Sequence, residues 1–176
     1  STAPMEPWRW HLLADRKLLQ QEALRRILAL ATTAEQERGR FLIVLAGGET
    51  PRGLYQQLRT LATNWSTWHI YFSDERCLPA DDAGRNSRMA GAAWLDHVPI
   101  PAEQIHTIPA ELGASVAADT YAAALRDVGD FDLVLLGLGE DGHTASLFAE
   151  QDGTLASVSA DTIAVFDAPK APPQRV

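Results

Sequence analysis

Apolar and polar positions along the chain follow two alternating patterns. Short, unbroken apolar runs are typical of strands buried on both faces, and longer segments have apolar residues at helical spacing. The apolar runs predict strands at residues 8–13, 41–46, 68–72, 104–108, 132–138 and 162–166. The helical spacing predicts helices at 15–33, from Thr50 to about Leu61, at 87–95 and 115–128, and a short one ending near Phe148.

Alternation of strands and helices indicates parallel βαβ units. The predicted fold is therefore α/β: a Rossmann-like, doubly wound, mostly parallel sheet with helices on both faces. The chain has no internal repeat, low-complexity tract or Gly/Ser linker, so we expect residues 1–176 to form a single domain. Because no closing helix follows Pro172 and Pro173, either the domain is complete in an unusual way or, as we expect, its C-terminal part is missing.

The charge balance narrows the range of partners. With 15 Lys and Arg against 23 Asp and Glu, the formal net charge is −8. Such a chain repels nucleic acids and anionic membranes, and a phosphorylated ligand would need a local site of cations or backbone N–H groups. The single cysteine, Cys77, indicates a reducing compartment, and the pattern of residues predicts neither a secretory signal nor a membrane helix. We therefore expect a cytoplasmic protein without nucleic-acid or membrane partners.

Ligands of parallel sheets bind beyond the carboxyl ends of the strands. The first such end carries Gly47 and Gly48, which allow close backbone approach, and then Thr50 and Pro51 as the predicted N-cap and first residue of a helix. Free N–H groups there favour a phosphate, although a tight turn with a well-capped helix explains the same residues. Glu49 opposes an anion unless it points away or a cation such as Arg52 neutralises it.

The next two strand ends carry candidate catalytic groups. After residues 68–72, Asp74 could orient a histidine and Arg76 could hold a phosphate with two hydrogen bonds, unless this segment is a solvated charged turn. After residues 132–138, His143 opens a predicted helix and could act as a general base, or it could be a solvent-facing histidine of that helix. No spacing of His, Asp or Glu indicates a zinc site, so no metal is expected.

Gly137, Gly139 and Gly142 also spell the dinucleotide-binding pattern, with Asp167 as a possible ribose ligand. That pattern requires a substantial helix after the glycines, whereas here Gly153 limits its length. The Glu140–Asp141 pair would repel a pyrophosphate. We therefore expect no nucleotide and no other organic cofactor.

Four segments together resemble the 6-phosphogluconolactonases: LAGGETPRGLY, FSDERCLPADDAGRNSRMA, LLGLGEDGHTASLF and PKAPPQRV. The resemblance extends from Phe41 to the end of the chain. The related glucosamine-6-phosphate deaminases usually continue with IAFNEP after the histidine, whereas this chain continues with the lactonase sequence TASLF. Two departures are that Glu49 stands where the family often has serine, and that family chains continue past the Arg175–Val176 position by a strand and a helix.

The resemblance implies hydrolysis of 6-phospho-D-glucono-1,5-lactone to 6-phosphogluconate without a cofactor, a small phosphorylated lactone being the partner of a monomer or weak homo-oligomer. His143 would activate water, Asp74 would orient it or the histidine, and Arg76 with backbone N–H groups would stabilise the oxyanion. The residues assigned to substrate or phosphate are Gly47, Gly48, Glu49, Thr50, Arg76, Asp141, Gly142, Lys170 and Arg175. An amino-sugar-phosphate deaminase and a non-catalytic sugar-phosphate sensor are the alternatives.

Overall fold

The computed structural model describes residues 8–13, 16–137, 146–151 and 176, with side chains for 20–49, 51–135 and 176. The described strands are β1 (Trp8–Leu13), β2 (Phe41–Leu45), β3 (Trp68–Phe72), β4 (Leu133–Gly137) and β5 (Ser146–Gln151). The described α-helices are α1 (Arg16–Arg38), α2 (Glu49–Leu58), α3 (Asn86–Ala93) and α4 (Ala114–Leu125). In this part of the chain no helix has the length and apolar character needed to cross a bilayer.

The strands form one sheet in the order β1-β5-β4-β2-β3. β3 and β4 both run parallel to β2, on its two sides, so the carboxyl ends of all three strands lie at one edge of the sheet. β5 pairs antiparallel with β4 on one side and with β1 on the other. The predicted α/β class is confirmed, and its parallel centre determines where the loops after β2 and β3 meet.

The short helix predicted to end near Phe148 is wrong, because residues 146–151 form β5. Without β5, the edge of β4 would expose a row of unpaired backbone N–H and C=O groups. β5 forms hydrogen bonds with these groups on one side and with the backbone groups of β1 on the other. A six-residue segment carries too little periodicity to distinguish a helix from a strand in the sequence. The strand predicted at 162–166 lies outside the described residues.

Several boundaries differ from the prediction, and the largest differences are at the end of α1 and at residues 104–108. α1 continues past Thr33 to Arg38, and the chain turns only at Gly39, where φ is 75° and the N–H donates to the Glu35 carbonyl. The strand predicted at 104–108 is reduced to a single bridge between Ile105 and Ile70. The extent of this pairing depends on contacts between segments that are distant in the sequence, which a hydrophobic pattern does not encode.

Apolar packing covers both faces of the sheet at its centre, where all five residues of β2 are buried. Trp68 contacts Phe41, Trp65 and Trp94, with ring centroids 4.8, 4.7 and 5.7 Å away. Tyr71 points to the opposite face and packs edge-on to Phe131. Trp65 and Trp68 serve packing, since both are buried in this aromatic cluster.

Two histidine rings lie side by side on the Tyr71 face. His69 and His106 are nearly parallel with centroids 6.3 Å apart, and His106 also stacks on Tyr71 at 4.5 Å. Burial lowers the pKa of both imidazoles below 6.5, and the charges of His106 and Arg40 lower the pKa of His69 further. Protonation of these two imidazoles is therefore less favourable in the folded chain than in the unfolded chain. The free energy of unfolding is undiminished above pH 6.5, where both rings are neutral in either state, and it declines as the pH falls toward the folded pKa values.

We expect the free energy of unfolding to fall between about pH 7.5 and about pH 5.5, and to fall less in a His69→Gln/His106→Gln variant that cannot take up these protons. Urea denaturation at the two pH values measures both changes. His97→Gln is the matched control, because His97 is exposed and only its Nε2 contact to the Ala92 carbonyl is altered. An equal pH-dependent loss in the double variant and the wild type would contradict the assignment.

Candidate active site

Two buried tyrosines fix the carboxyl ends of β2 and β3. The Tyr55 hydroxyl donates to the Ala46 carbonyl at 2.7 Å and accepts from the Ala46 N–H at 3.1 Å. The Tyr121 hydroxyl accepts from the Phe72 N–H at 3.1 Å and donates to the His106 carbonyl at 2.9 Å. Burial raises the pKa of both phenols, so they stay neutral and keep the proton that they donate. The loops that follow both strands therefore start from fixed points.

Gly47 and Gly48 are required for two different reasons. A Cβ on Gly47 would lie 2.2 Å from Oδ1 of Asn86, so only glycine permits this approach. Gly48 has φ of 109° and is the N-cap of α2, without a capping side chain. The Asn86 side chain therefore occupies the space beside Gly47, and Gly48 starts α2, whose first N–H groups have no partner within the helix.

The prediction that Thr50 caps this helix is wrong. Gly48 occupies the N-cap and α2 begins at Glu49, so Thr50 and Pro51 lie inside the first turn. Proline is tolerated there because the first N–H groups of a helix have no partner within it. The side chain of Thr50 lies outside the described ones, and its phosphate role stays a prediction.

Glu49 opposes an anion at this turn unless its carboxylate points away or is neutralised by a cation such as Arg52, and the structure meets this condition. Its side chain is 73% exposed, and its Oε1 lies 3.9 Å from Nη1 of Arg52. A solvated carboxylate beside a guanidinium contributes little net negative field to the turn. Glu49 is therefore compatible with an anion bound by the backbone of Gly47, Gly48 and the start of α2.

The Asp74 carboxylate lies at the end of β3, next to the Gly47 turn. Its Oδ1 lies 3.2 Å from Nδ2 of Asn86 and 3.3 Å from the Ser73 hydroxyl. Nδ2 of Asn86 also donates to the backbone carbonyl of Asp74 at 3.1 Å. Since Asn86 is in turn packed against Gly47, the structure brings the first two of the three predicted strand-end segments together.

Glu75, which was not assigned a role from the sequence, is completely buried. Its Oε1 accepts from the N–H groups of Arg76 and Asn86 at 2.9 and 2.6 Å, and its Oε2 accepts from that of Ser87 at 2.9 Å. The solvated-turn alternative is therefore wrong for this residue, which caps α3 from a distant position in the chain. The available signal was a helix preceded by Arg85, which cannot accept a hydrogen bond, so that another acceptor had to supply the cap.

Arg85 is the second unassigned residue that holds this region together, and it is 2% exposed. Its Nε lies 3.6 Å from Oε2 of Glu75, and its Nη1 donates to Glu111 at 2.9 Å. Its Nη2 donates to the Ile108 carbonyl at 2.9 Å, which joins the turn after β3 to the segment before α4. The neighbouring guanidinium of Arg76 donates from Nη1 to the Gly84 carbonyl at 3.1 Å.

Val176 pairs with the same turn through its backbone. Its N–H donates to the Glu75 carbonyl and its carbonyl accepts from the Glu75 N–H, both at 2.9 Å. Arg175 directly precedes it in the sequence. His143, Asp141, Gly142, Lys170 and Arg175 all lie outside the described residues, and their roles stay predictions.

The described residues bear on two kinds of ligand considered from the sequence, a metal ion and a dinucleotide. In these ranges no group of three or more His, Cys, Asp or Glu side chains is arranged to hold a metal ion. Where the dinucleotide pattern requires a helix, residues 146–151 form strand β5. The chemistry at the described part of the crevice is that of a carboxylate, backbone donors and guanidinium groups.

Replacing Glu75 by Gln should lower the free energy of unfolding by about 3 kcal/mol, because Arg85 loses its most buried counter-charge and an amide N–H₂ must face a backbone donor. Urea denaturation measures the change. Glu111→Gln is the matched control, since Glu111 contacts the same guanidinium from a position with 36% of its side chain exposed, and its loss should cost less than about 1 kcal/mol. Equal losses in the two variants would contradict the capping role.

Comparison with known proteins gives a consistent family assignment. The model of the family described as glucosamine-6-phosphate isomerases/6-phosphogluconolactonase matches residues 14–176. A 6-phosphogluconolactonase of Nostoc sp. is 40% identical over 146 residues, covering 78% of this chain and 61% of that protein. One of Mycobacterium tuberculosis is 36% identical over 179 residues, covering 94% of this chain and 72% of that protein. The crystal structure of 6-phosphogluconolactonase from Thermotoga maritima superimposes with a TM-score of 0.71 at 28% identity, covering 93% of this chain and 73% of that one.

The chain belongs to the glucosamine-6-phosphate isomerase/6-phosphogluconolactonase family. The matched part of the chain spans 61% of the length of the Nostoc relative. The family resemblance stated from the four sequence segments is thereby confirmed.

Proposed function

We propose that the protein hydrolyses 6-phospho-D-glucono-1,5-lactone to 6-phosphogluconate, in the cytoplasm and as part of the oxidative pentose phosphate pathway. The names of its relatives support this substrate. The observation that carries the proposal is the Asp74 carboxylate, held by Asn86 beside the Gly47–Gly48 turn and the N-terminus of α2. A carboxylate and a cluster of backbone donors at one crevice suit a reaction that needs both a base relay and an anion site.

The proposed reaction begins with water and ends with an open carboxylic acid. His143 removes a proton from water as the oxygen attacks the lactone carbonyl, and Asp74 orients the imidazole or the water. Arg76 and backbone N–H groups of the turn after β4 stabilise the tetrahedral oxyanion. When the bond to the ring oxygen breaks, His143 returns the proton to that oxygen. An ester carbonyl is already electrophilic, so these steps use side chains and backbone alone.

The phosphate is assigned to groups that overcome the acidic character of the chain. Backbone donors of Gly47, Gly48, Glu49 and Thr50 would bind its oxygens at the start of α2, and Asp141 and Gly142 are assigned to substrate or phosphate as well. Arg76, Lys170 and Arg175 would supply the positive charge. The pairing of Val176 with Glu75 supports a place for Arg175 at this crevice.

The full-length wild-type protein should accelerate opening of the phosphorylated lactone above the spontaneous rate, and His143→Ala should reduce turnover by about 10²–10⁴-fold because the general base is lost. A coupled assay of 6-phosphogluconate formation, corrected for spontaneous hydrolysis, measures both. His97→Ala, at an exposed position, is the matched control and should retain wild-type turnover.

The results that would contradict the proposal differ in what they refute. Near wild-type turnover in a folded His143→Ala variant would refute the catalytic role of that residue. Release of ammonia from glucosamine 6-phosphate would identify a deaminase instead. Binding of 6-phosphogluconate without any acceleration would identify a sugar-phosphate sensor.

Lys170→Ala and Arg175→Ala should raise KM for the phosphorylated lactone and leave KM for unphosphorylated gluconolactone unchanged, because each removes a charge that binds only the phosphate. Steady-state kinetics on the two substrates make the comparison. Arg59→Ala is the control, since Arg59 is exposed and follows the opposite end of α2. An equal effect on both substrates would remove Lys170 and Arg175 from the phosphate site.

A further inference from the structure

Asn86 has an unusual position for an amide side chain. It is the first residue of α3, it is only 7% exposed, and its side chain lies between the loop after β2 and the loop after β3. A buried amide must satisfy its polar atoms within the protein. The partners that it uses therefore show what it does.

The orientation of the amide is fixed by chemistry. On one side it faces the backbone carbonyl and Oδ1 of Asp74, at 3.1 and 3.2 Å, and both are acceptors. Only the N–H₂ end can face two acceptors, so the amide oxygen points to the other side. On that side Oδ1 occupies the space in which a Cβ of residue 47 would lie, and residue 47 is glycine.

The backbone of Asn86 is held as firmly as its side chain. Its N–H donates to Oε1 of the buried Glu75 at 2.6 Å, and the next N–H, of Ser87, donates to the other carboxylate oxygen at 2.9 Å. Glu75 is itself balanced by Arg85, which lies 3.6 Å away. The amide is therefore presented to Asp74 from a fixed helix end, with both ends of its side chain in contact.

We propose that Asn86 is a positioning residue for the reaction: its amide directs the Asp74 carboxylate into the crevice between the ends of β2 and β3. The proposal rests on the proposed lactonase function, in which Asp74 orients the imidazole or the water. Tyr55 interacts electrostatically with this carboxylate, and a charged group at position 86 in place of the neutral amide would change the local field. A neutral donor suits the task because it orients a carboxylate without neutralising it.

A double-mutant cycle in the full-length enzyme tests the proposal. Asn86→Ala should lower kcat about 10²-fold with little change in KM, because a misdirected Asp74 affects orientation and not substrate binding. In an Asp74→Ala background the same substitution should have no further effect on kcat, since Asn86 acts through Asp74. A merely structural residue would lower kcat by the same factor in both backgrounds.

A second variant keeps the test valid if Asn86→Ala does not fold. Asn86→Asp has the same shape but replaces the donor with an acceptor beside Oδ1 of Asp74, so it should lower kcat at least as much, and Asp74→Ala should again abolish the difference. Asn64→Ala is the matched control, since Asn64 caps a short helix elsewhere and should leave kcat unchanged.

The outcomes separate this inference from the function on which it rests. A wild-type enzyme that hydrolyses the lactone, together with undiminished Asn86 variants or equal losses in both backgrounds, would overturn the role of Asn86 alone. An Asp74→Ala variant with wild-type kcat would overturn it as well. A full-length wild-type protein without lactonase activity would overturn the proposed function and this inference with it.

Discussion

The buried carboxylate of Glu75 is the interaction on which the described crevice depends. A charge removed from water is unfavourable by several kcal/mol unless it is fully compensated. Here three backbone N–H groups, the positive end of α3 and the guanidinium of Arg85 provide that compensation. These partners come from the turn after β3, from the start of α3 and from Arg85, which is linked to residues 108–111. One carboxylate therefore fixes the relative positions of the turn, the helix and the segment before α4.

This arrangement explains why the neighbouring parts of the crevice are built mainly from backbone. Once α3 is fixed, Asn86 cannot move away from residue 47, and glycine is the residue that fits there. Tyr55 and Tyr121 hold the last residues of β2 and β3 in the same way, each with a hydroxyl that both donates and accepts. The Asp74 carboxylate thus projects from a rigid edge, which favours a defined geometry toward a reacting group.

Much of the fold follows from patterns that the sequence displays directly. Unbroken apolar runs predict β2, β3 and β4 because strands covered on both faces need apolar residues at every position. Glycines and charged residues after those runs predict the crevice edge for the same topological reason. The sequence indicates only that Arg85 cannot cap α3. It does not identify the partners of Glu75, Arg85 and Asn86, because each role depends on a contact with a residue 11 or more positions away, or on burial that a charged side chain does not reveal. Strand β5 was missed because its pairing with β1 and β4 is non-local.

The same network accounts for how an acidic chain can present an anion site. Glu75 lies directly beside the crevice, yet its charge is directed inward to α3 and Arg85 and is absent from the surface. Glu49 lies at the turn itself, but it is solvated and paired with Arg52. Thus, of the three carboxylates named here in the described part of the crevice, Glu49 and Glu75 contribute little repulsion to a bound phosphate, which leaves Asp74 for orientation. The placement of the charges, and not the net charge of −8, decides whether a phosphorylated ligand can bind.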